Sequence, residues 1–307
     1  MAHNQQAAGG GKNNKLKDYL QLTKPSLNIM VVFSSVICFM MAPGVTKYVN
    51  PWLWSVLLFI GGYLVTGSAN AMNMAVEKET DAVMKRTAKR PVASGRMSAA
   101  EAWTFAIVTG LGGVFILAYF FNFLSASLAA FSLFLYAFVY TPLKKVSAIA
   151  VLVGAFPGAL PCLIGWAAGN DAVFEIGHGW KDYGGWILFG LQFLWQFPHF
   201  WAIAWVAHKD YSTAGFKLLP ADKGPTKFTA LQTIIYALLL IPVSVLPYAI
   251  ELTGMNSLII VMIANLFLVW QCVRLYREME PNAARRVMFS SYIYLPVVLL
   301  AYLADKM

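Results

Sequence analysis

102-AWTFAIVTGLGGVFILAYFF-121 holds twenty residues without a single Asp, Glu, Lys or Arg. A helix of that length rises about 30 Å, which matches the hydrocarbon thickness of a bilayer. The chain has 307 residues with 23 Lys plus Arg and 14 Asp plus Glu, so an even spread would put about two to three charges in every such window. The charges are clustered instead. Eight further apolar runs cover residues 23–42, 52–73, 123–140, 147–168, 185–206, 229–250, 257–275 and 288–304. None alternates with period two, so transmembrane helices fit and barrel strands do not. A chain that is 59% apolar is neither disordered nor collagen-like. The expected fold is all-α: a polytopic membrane bundle of nine helices.

The segments between the runs alternate in charge. Twenty basic residues fall before the first span or in alternate loops, and only Lys47, Lys181 and Lys306 fall on the other side. The positive-inside rule then places the N-terminus in the cytoplasm and, after nine crossings, the C-terminus outside. Residues 1–22 are expected to form a mobile cytoplasmic tail, and residues 23–307 a single transmembrane domain. The start of the chain shows neither a signal-peptide core nor a transit-peptide pattern, which points to a bacterial plasma (inner) membrane. Cys38, Cys162 and Cys272 all lie inside spans without CxxC spacing, so structural disulfides and zinc are not expected. Topology is a sufficient cause for the net charge of +9, and the expected surroundings are lipid rather than nucleic acid.

The most informative stretch for chemistry is 73-NMAVEKETDAVMKRTAKRP-91. Asn73, Glu77 and Asp81 stand at i, i+4 and i+8, a spacing that advances about 40° per step on a helix and so lines one stripe. Glu79 points away. Two carboxylates at i, i+4 repel, and an amide oxygen beside them favours capture of a hard cation such as Mg²⁺. Lys85, Arg86, Lys89 and Arg90 follow at once and suit the negative charge of a departing diphosphate. The positive-inside rule explains basic residues at this place, but it gives no reason for the acidic ones.

This run, Asn73-xxx-Glu77-xxx-Asp81-xx-Met84-Lys85-Arg86-Thr87-xx-Arg90-Pro91, resembles the first aspartate-rich motif of the UbiA superfamily of intramembrane prenyltransferases, and within it the haem O synthase branch. Where that pattern usually carries Asp, this chain has Glu77, which keeps the charge on one more methylene. Leu22-Thr23-Lys24-Pro25, Tyr140-Thr-Pro142-Leu-Lys144, Trp195-Gln196-x-Pro198-His199-Phe200, Asp210-Tyr211-xx-Ala214-Gly215 and Leu219-Pro220 extend the resemblance along most of the chain.

The resemblance implies farnesyl diphosphate and haem B as substrates, with haem O and pyrophosphate as products. It implies Mg²⁺ held by Asn73, Glu77 and Asp81 with help from Asp210, and Lys85, Arg86 and Arg90 beside the diphosphate. Lys24, Tyr140, Lys144 and His199 are the implied substrate contacts. In relatives the loop carrying Asp210 supplies a second group of carboxylates; the DxxxD spacing is missing here, and Asp222 is more in keeping with a solvated loop charge. A haem A synthase or a haem-copper oxidase is the implied recipient of the product. Two rival readings stay open: a UbiA-type enzyme acting on an aromatic quinone precursor, and a non-catalytic haem carrier or transporter.

His199 lies inside an apolar run, next to Pro198. A ring at that depth should face the bundle interior and find a partner. Its partner is either the Leu194 carbonyl freed by Pro198 or haem, as axial ligand or as acid/base. In the fifth span, Gly154, Pro157, Gly158, Pro161 and Gly165 suit close helix packing and equally the border of a flat macrocycle.

Overall fold

The computed structural model describes residues 15–174, 177–221 and 224–307. Among them the chain runs through thirteen helices and no strand. These are α1 (Lys15–Thr23), α2 (Pro25–Met41), α3 (Pro51–Val76), α4 (Lys78–Val83), α5 (Ala99–Phe120), α6 (Phe123–Phe134), α7 (Thr141–Leu143), α8 (Ala150–Asn170), α9 (Gly184–Val206), α10 (His208–Thr213), α11 (Lys227–Ala249), α12 (Met255–Glu278) and α13 (Pro281–Ala304). A π-helical stretch, Leu135–Tyr140, joins α6 to α7, so that Phe123–Leu143 forms one span.

Helix starts are written locally. Proline opens α2, α3 and α13, where its missing N–H costs nothing. Side chains cap others: Ser98 Oγ accepts from Glu101 N at 3.0 Å and Asn122 Oδ1 accepts from Ser125 N at 2.7 Å.

Each of the nine apolar runs is helical. By length and apolarity seven helices can cross a membrane, or eight when the bent pair α1 and α2 counts as one span. The expected ninth, α9, is not among them, because Gln192, Gln196, Pro198 and His199 dilute its 23 residues. Residues 15–22, expected as part of a mobile tail, are helical and tied down. Leu22 is buried, Arg96 Nε donates to Asp18 Oδ1 at 2.9 Å, and Tyr19 Oη donates to Glu101 Oε1 at 2.7 Å. Residues 1–14 and Asp222 lie outside the described residues.

α8 is the central helix, packed against α2, α6 and α9. Its small residues serve that packing: Gly165 backs onto the Ser35 carbonyl of α2 too closely for any Cβ. On the other side, polar links pin α11, α12 and α13 together. Asn265 Nδ2 donates to Ser244 Oγ at 2.7 Å, Tyr294 Oη to Asn265 Oδ1 at 2.8 Å, and Tyr302 Oη to the Ser244 carbonyl at 2.6 Å.

The two ends of the bundle differ. α1 sits with Arg96 and the helix end that carries Asp81 and Arg90, whereas Lys306, near the C-terminus, donates to the Met40 and Ala42 carbonyls beside the Lys47–Asp171 ion pair.

Candidate active site

α3 ends at Val76, yet the Asn73 stripe survives the break. Glu77 N donates to the Asn73 carbonyl at 2.9 Å and Asp81 N to the Glu77 carbonyl at 2.7 Å, so the i, i+4 ladder carries the three side chains on one face into α4. Glu79 is exposed on the opposite side. All three face a cavity of about 260 Å³.

Three distortions bring other groups to the same cavity. Lys24 adopts a left-handed conformation (φ 47°) in the 44° bend between α1 and α2, ahead of Pro25, and lines the cavity. Asn70 holds that bend by donating to the Thr23 carbonyl at 3.1 Å. The π-helical stretch re-aims Tyr136 and Tyr140 so that both line the wall.

Four cations therefore line the cavity, Lys24, Arg86, Arg90 and Lys144, against two carboxylates, Glu77 and Asp81. Arg90 Nη1 donates to both oxygens of Asp81, at 2.7 and 2.7 Å. Asn73 Nδ2 donates to Glu77 Oε2 at 2.6 Å, and Lys144 Nζ donates to Asn73 Oδ1 at 3.1 Å. Lys144 also forms an ion pair with Glu77 Oε1. Burial pulls the Lys144 ammonium below the usual lysine range, and the Glu77 charge opposes the shift. With four cations against two anions the cavity has a surplus of positive charge, which suits an anion.

Arg86 reaches the cavity from the loop after α4. Its Nη2 donates to Tyr211 Oη at 3.2 Å, and its backbone N–H meets Asp210 Oδ2 at 3.4 Å. Burial raises the Tyr211 phenol above its ordinary value, with Arg86 opposing. Asp210 itself does not line the cavity, and Lys85 is exposed to solvent. Aromatic side chains complete the walls: Tyr136, Tyr140, Phe200, Tyr211, Phe216 and Tyr292. Of these, Tyr136, Phe216 and Tyr292 carried no signal in the sequence beyond being aromatic.

Leu27 and Tyr136 are shared with a second, apolar cavity of about 90 Å³ that continues toward the bundle centre along α3, where Asn70, Ala69, Thr66, Val65 and Gly62 line it. A polar head and an apolar tail thus have adjoining places.

His199 is buried beside the first cavity rather than in its wall. It does not bond the Leu194 carbonyl; its Nδ1 lies 2.8 Å from Ser291 Oγ. The fifth-span small residues divide between packing and lining: Gly154 meets the Tyr140 ring, whereas Pro157, Gly158 and Pro161 border the apolar cavity.

The donors for a hard cation are oxygens only and face one cavity, so Asn73, Glu77 and Asp81 fit Mg²⁺ by chemistry. Among the described residues no three His, Cys, Asp or Glu side chains cluster as a metal site; this set is two carboxylates and an amide.

The model of the UbiA prenyltransferase family matches residues 31–293. The chain belongs to that family. This UbiA-family chain is 41% identical over 293 residues to a protoheme IX farnesyltransferase of Cytophaga hutchinsonii, with 95% of this chain and 99% of the relative covered. A protein of the same name from Flavobacterium johnsoniae is 42% identical, with 94% of each chain covered. Two solved structures share the fold. A digeranylgeranylglyceryl phosphate synthase has a TM-score of 0.76 at 21% identity, covering 95% of this chain and 98% of its own. A UbiA homolog from Archaeoglobus fulgidus bound to DMAPP and Mg²⁺ has a TM-score of 0.61 at 14% identity, covering 93% and 99%.

Proposed function

We propose that this chain transfers a farnesyl group from farnesyl diphosphate to a vinyl group of haem B, giving haem O and pyrophosphate. The observation that carries the reaction class is the pair of adjoining cavities: one with four cations beside a carboxylate stripe, one with an apolar lining. The choice of haem as acceptor rests on the protoheme IX farnesyltransferases that match at 41% and 42% identity along nearly the whole chain.

Asn73, Glu77 and Asp81 would hold Mg²⁺, which supplies charge neutralisation to the diphosphate when bound. Lys24, Arg86, Arg90 and Lys144 take up the negative charge that grows on the diphosphate as the allylic C–O bond breaks, its electron pair leaving with the oxygen. Tyr136, Tyr140, Phe200, Phe216 and Tyr292 keep water from the allylic cation and offer it ring faces. The terminal carbon of the vinyl group forms the new C–C bond. Water then adds to the cation left next to the porphyrin ring and loses a proton, giving the hydroxyethyl farnesyl substituent. No covalent enzyme intermediate is needed.

The bias of basic residues supports placing the cavity end and the N-terminus in the cytoplasm of a bacterial plasma membrane, with the C-terminus outside. Residues 23–307 form the catalytic unit. Purified protein given haem B, farnesyl diphosphate and Mg²⁺ is expected to yield a product heavier than haem B by one farnesyl group plus one hydroxyl group. No mass change with controls active would overturn the reading.

A further inference from the structure

His199 is held more firmly than a packing residue requires. Its ring stacks on Trp195 at 4.7 Å between centroids with planes 19° apart, meets Tyr292 edge-on at 4.8 Å, and touches Phe200 at 5.5 Å. Ser291, fully buried on α13, anchors both members of the stack: its carbonyl accepts from Trp195 Nε1 at 2.9 Å, and its hydroxyl pairs with His199 Nδ1.

The Ser291 hydroxyl has one proton, and it is directed at the Met288 carbonyl 2.7 Å away. Toward His199 the oxygen can therefore only accept, which puts the imidazole proton on Nδ1 and leaves Nε2 with a bare lone pair. Nε2 has no hydrogen-bond partner among the described residues. The ring stands one helical turn deeper than Ile203 on α9, and Phe200 and Tyr292, which it touches, are themselves walls of the polar cavity.

We propose that His199 Nε2 ligates the iron of the haem substrate, and that Ser291 is a positioning residue that fixes the tautomer and ring plane for it. The inference rests on the haem reading above. A bare Nε2 lone pair repels a propionate, because a carboxylate needs a donor there, and it suits a Lewis acid. Metal-bound histidines commonly donate their second N–H to an oxygen that orients them, which is the role Ser291 has the geometry to play. A general base at this place is the weaker reading. Trp195, Phe200, Ser291 and Tyr292 surround the ring, and none carries a negative charge to support an imidazolium. Ligation one turn above the diphosphate cavity would hold the macrocycle by its centre and leave a vinyl edge turned toward the aromatic walls.

The test titrates ferric haem B into purified wild-type, His199→Gly and Ser291→Ala protein and records Soret and visible bands, with binding of a diphosphate analogue as the check on folding. Wild type is expected to show imidazole-ligated haem. His199→Gly should lose those bands, bind haem at least about 10-fold more weakly, and regain the bands when free imidazole is added. Ser291→Ala should keep the bands with haem affinity reduced by up to about 10-fold. If His199→Gly fails the folding check, His199→Gln retains a donor for Ser291 and is expected to lose the bands equally. Identical spectra for wild type and the folded His199 variants would overturn the ligand assignment while leaving the proposed function intact. A wild type that binds the diphosphate analogue and no haem would overturn both.

Discussion

Asp81 is fully buried, and both its oxygens accept from one guanidinium nitrogen of Arg90. The charge on that carboxylate is what the proposed chemistry uses, so Asp81→Asn, which keeps the size and loses the charge, should lower turnover about 100-fold or more. The haem spectrum should be unchanged. Wild-type turnover in the variant, or in excess chelator, would remove Asp81 from the reaction. Lys144 and Glu77 pose a different question, because both are enclosed. Lys144→Met strands a buried carboxylate, a cost of at most about 3–5 kcal/mol that cavity water reduces. Adding Glu77→Gln should recover thermal stability in detergent but not turnover, a double-mutant cycle that separates the structural part of the pair from the chemical part. Recovery of both would make the pair purely structural. Glu77 and Asp81 were legible in the sequence because i, i+4, i+8 spacing from Asn73 is a property of the local helix. Asn70, Ser291 and Tyr292 were not, because their roles depend on which neighbours the bundle brings against them.

At the scale of elements, the nine apolar runs anticipated where the helices lie, since burial in lipid is written in composition. The departures from regular helix were not anticipated, and they shape the site. The left-handed Lys24 and the π-helical stretch at 135–140 each turn a side chain into the cavity, and no local pattern announces a π turn. The apolar cavity follows from a regular element instead. From Asn73 to Gly62, α3 rises about 17 Å, and eleven C–C bonds of about 1.5 Å in a zigzag extend to about 14 Å, so a farnesyl chain reaches the turn of Gly62. A Cβ at Gly62 would lie 3.1 Å from Val32 Cγ1, so this position closes the far end. Gly62→Leu should therefore shift preference toward geranyl diphosphate by about 10-fold or more in kcat/KM, read as product masses in a competition of the two donors. An unchanged ratio would place the tail elsewhere.

The whole molecule constrains the crossing number more tightly than hydropathy does. α1 lies at the end with Arg96, and Lys306 lies at the other end against Met40 and Ala42, which predicts an odd number of crossings for the described chain. Seven helices qualify by length and apolarity and the α1–α2 pair makes an eighth, which leaves α9 to decide the parity. Its 23 residues rise about 35 Å, enough for the hydrocarbon core. Its polar groups face protein rather than lipid: Gln192 Nε2 donates to the Gly158 carbonyl at 2.7 Å, Gln196 Nε2 to the Ala155 carbonyl at 3.0 Å, and His199 pairs with Ser291. Hydropathy charges these residues as if they met lipid, and so undercounts a helix flanked by α8, α11 and α13. Lys181 and Lys209 bracket α9, and the native cysteines Cys38, Cys162 and Cys272 are buried. In right-side-out vesicles a membrane-impermeant maleimide should label Lys181→Cys directly and Lys209→Cys only after the membrane is opened. Equal labelling of both from one side would mean that α9 does not cross, and would return the end of the chain to the cytoplasmic face.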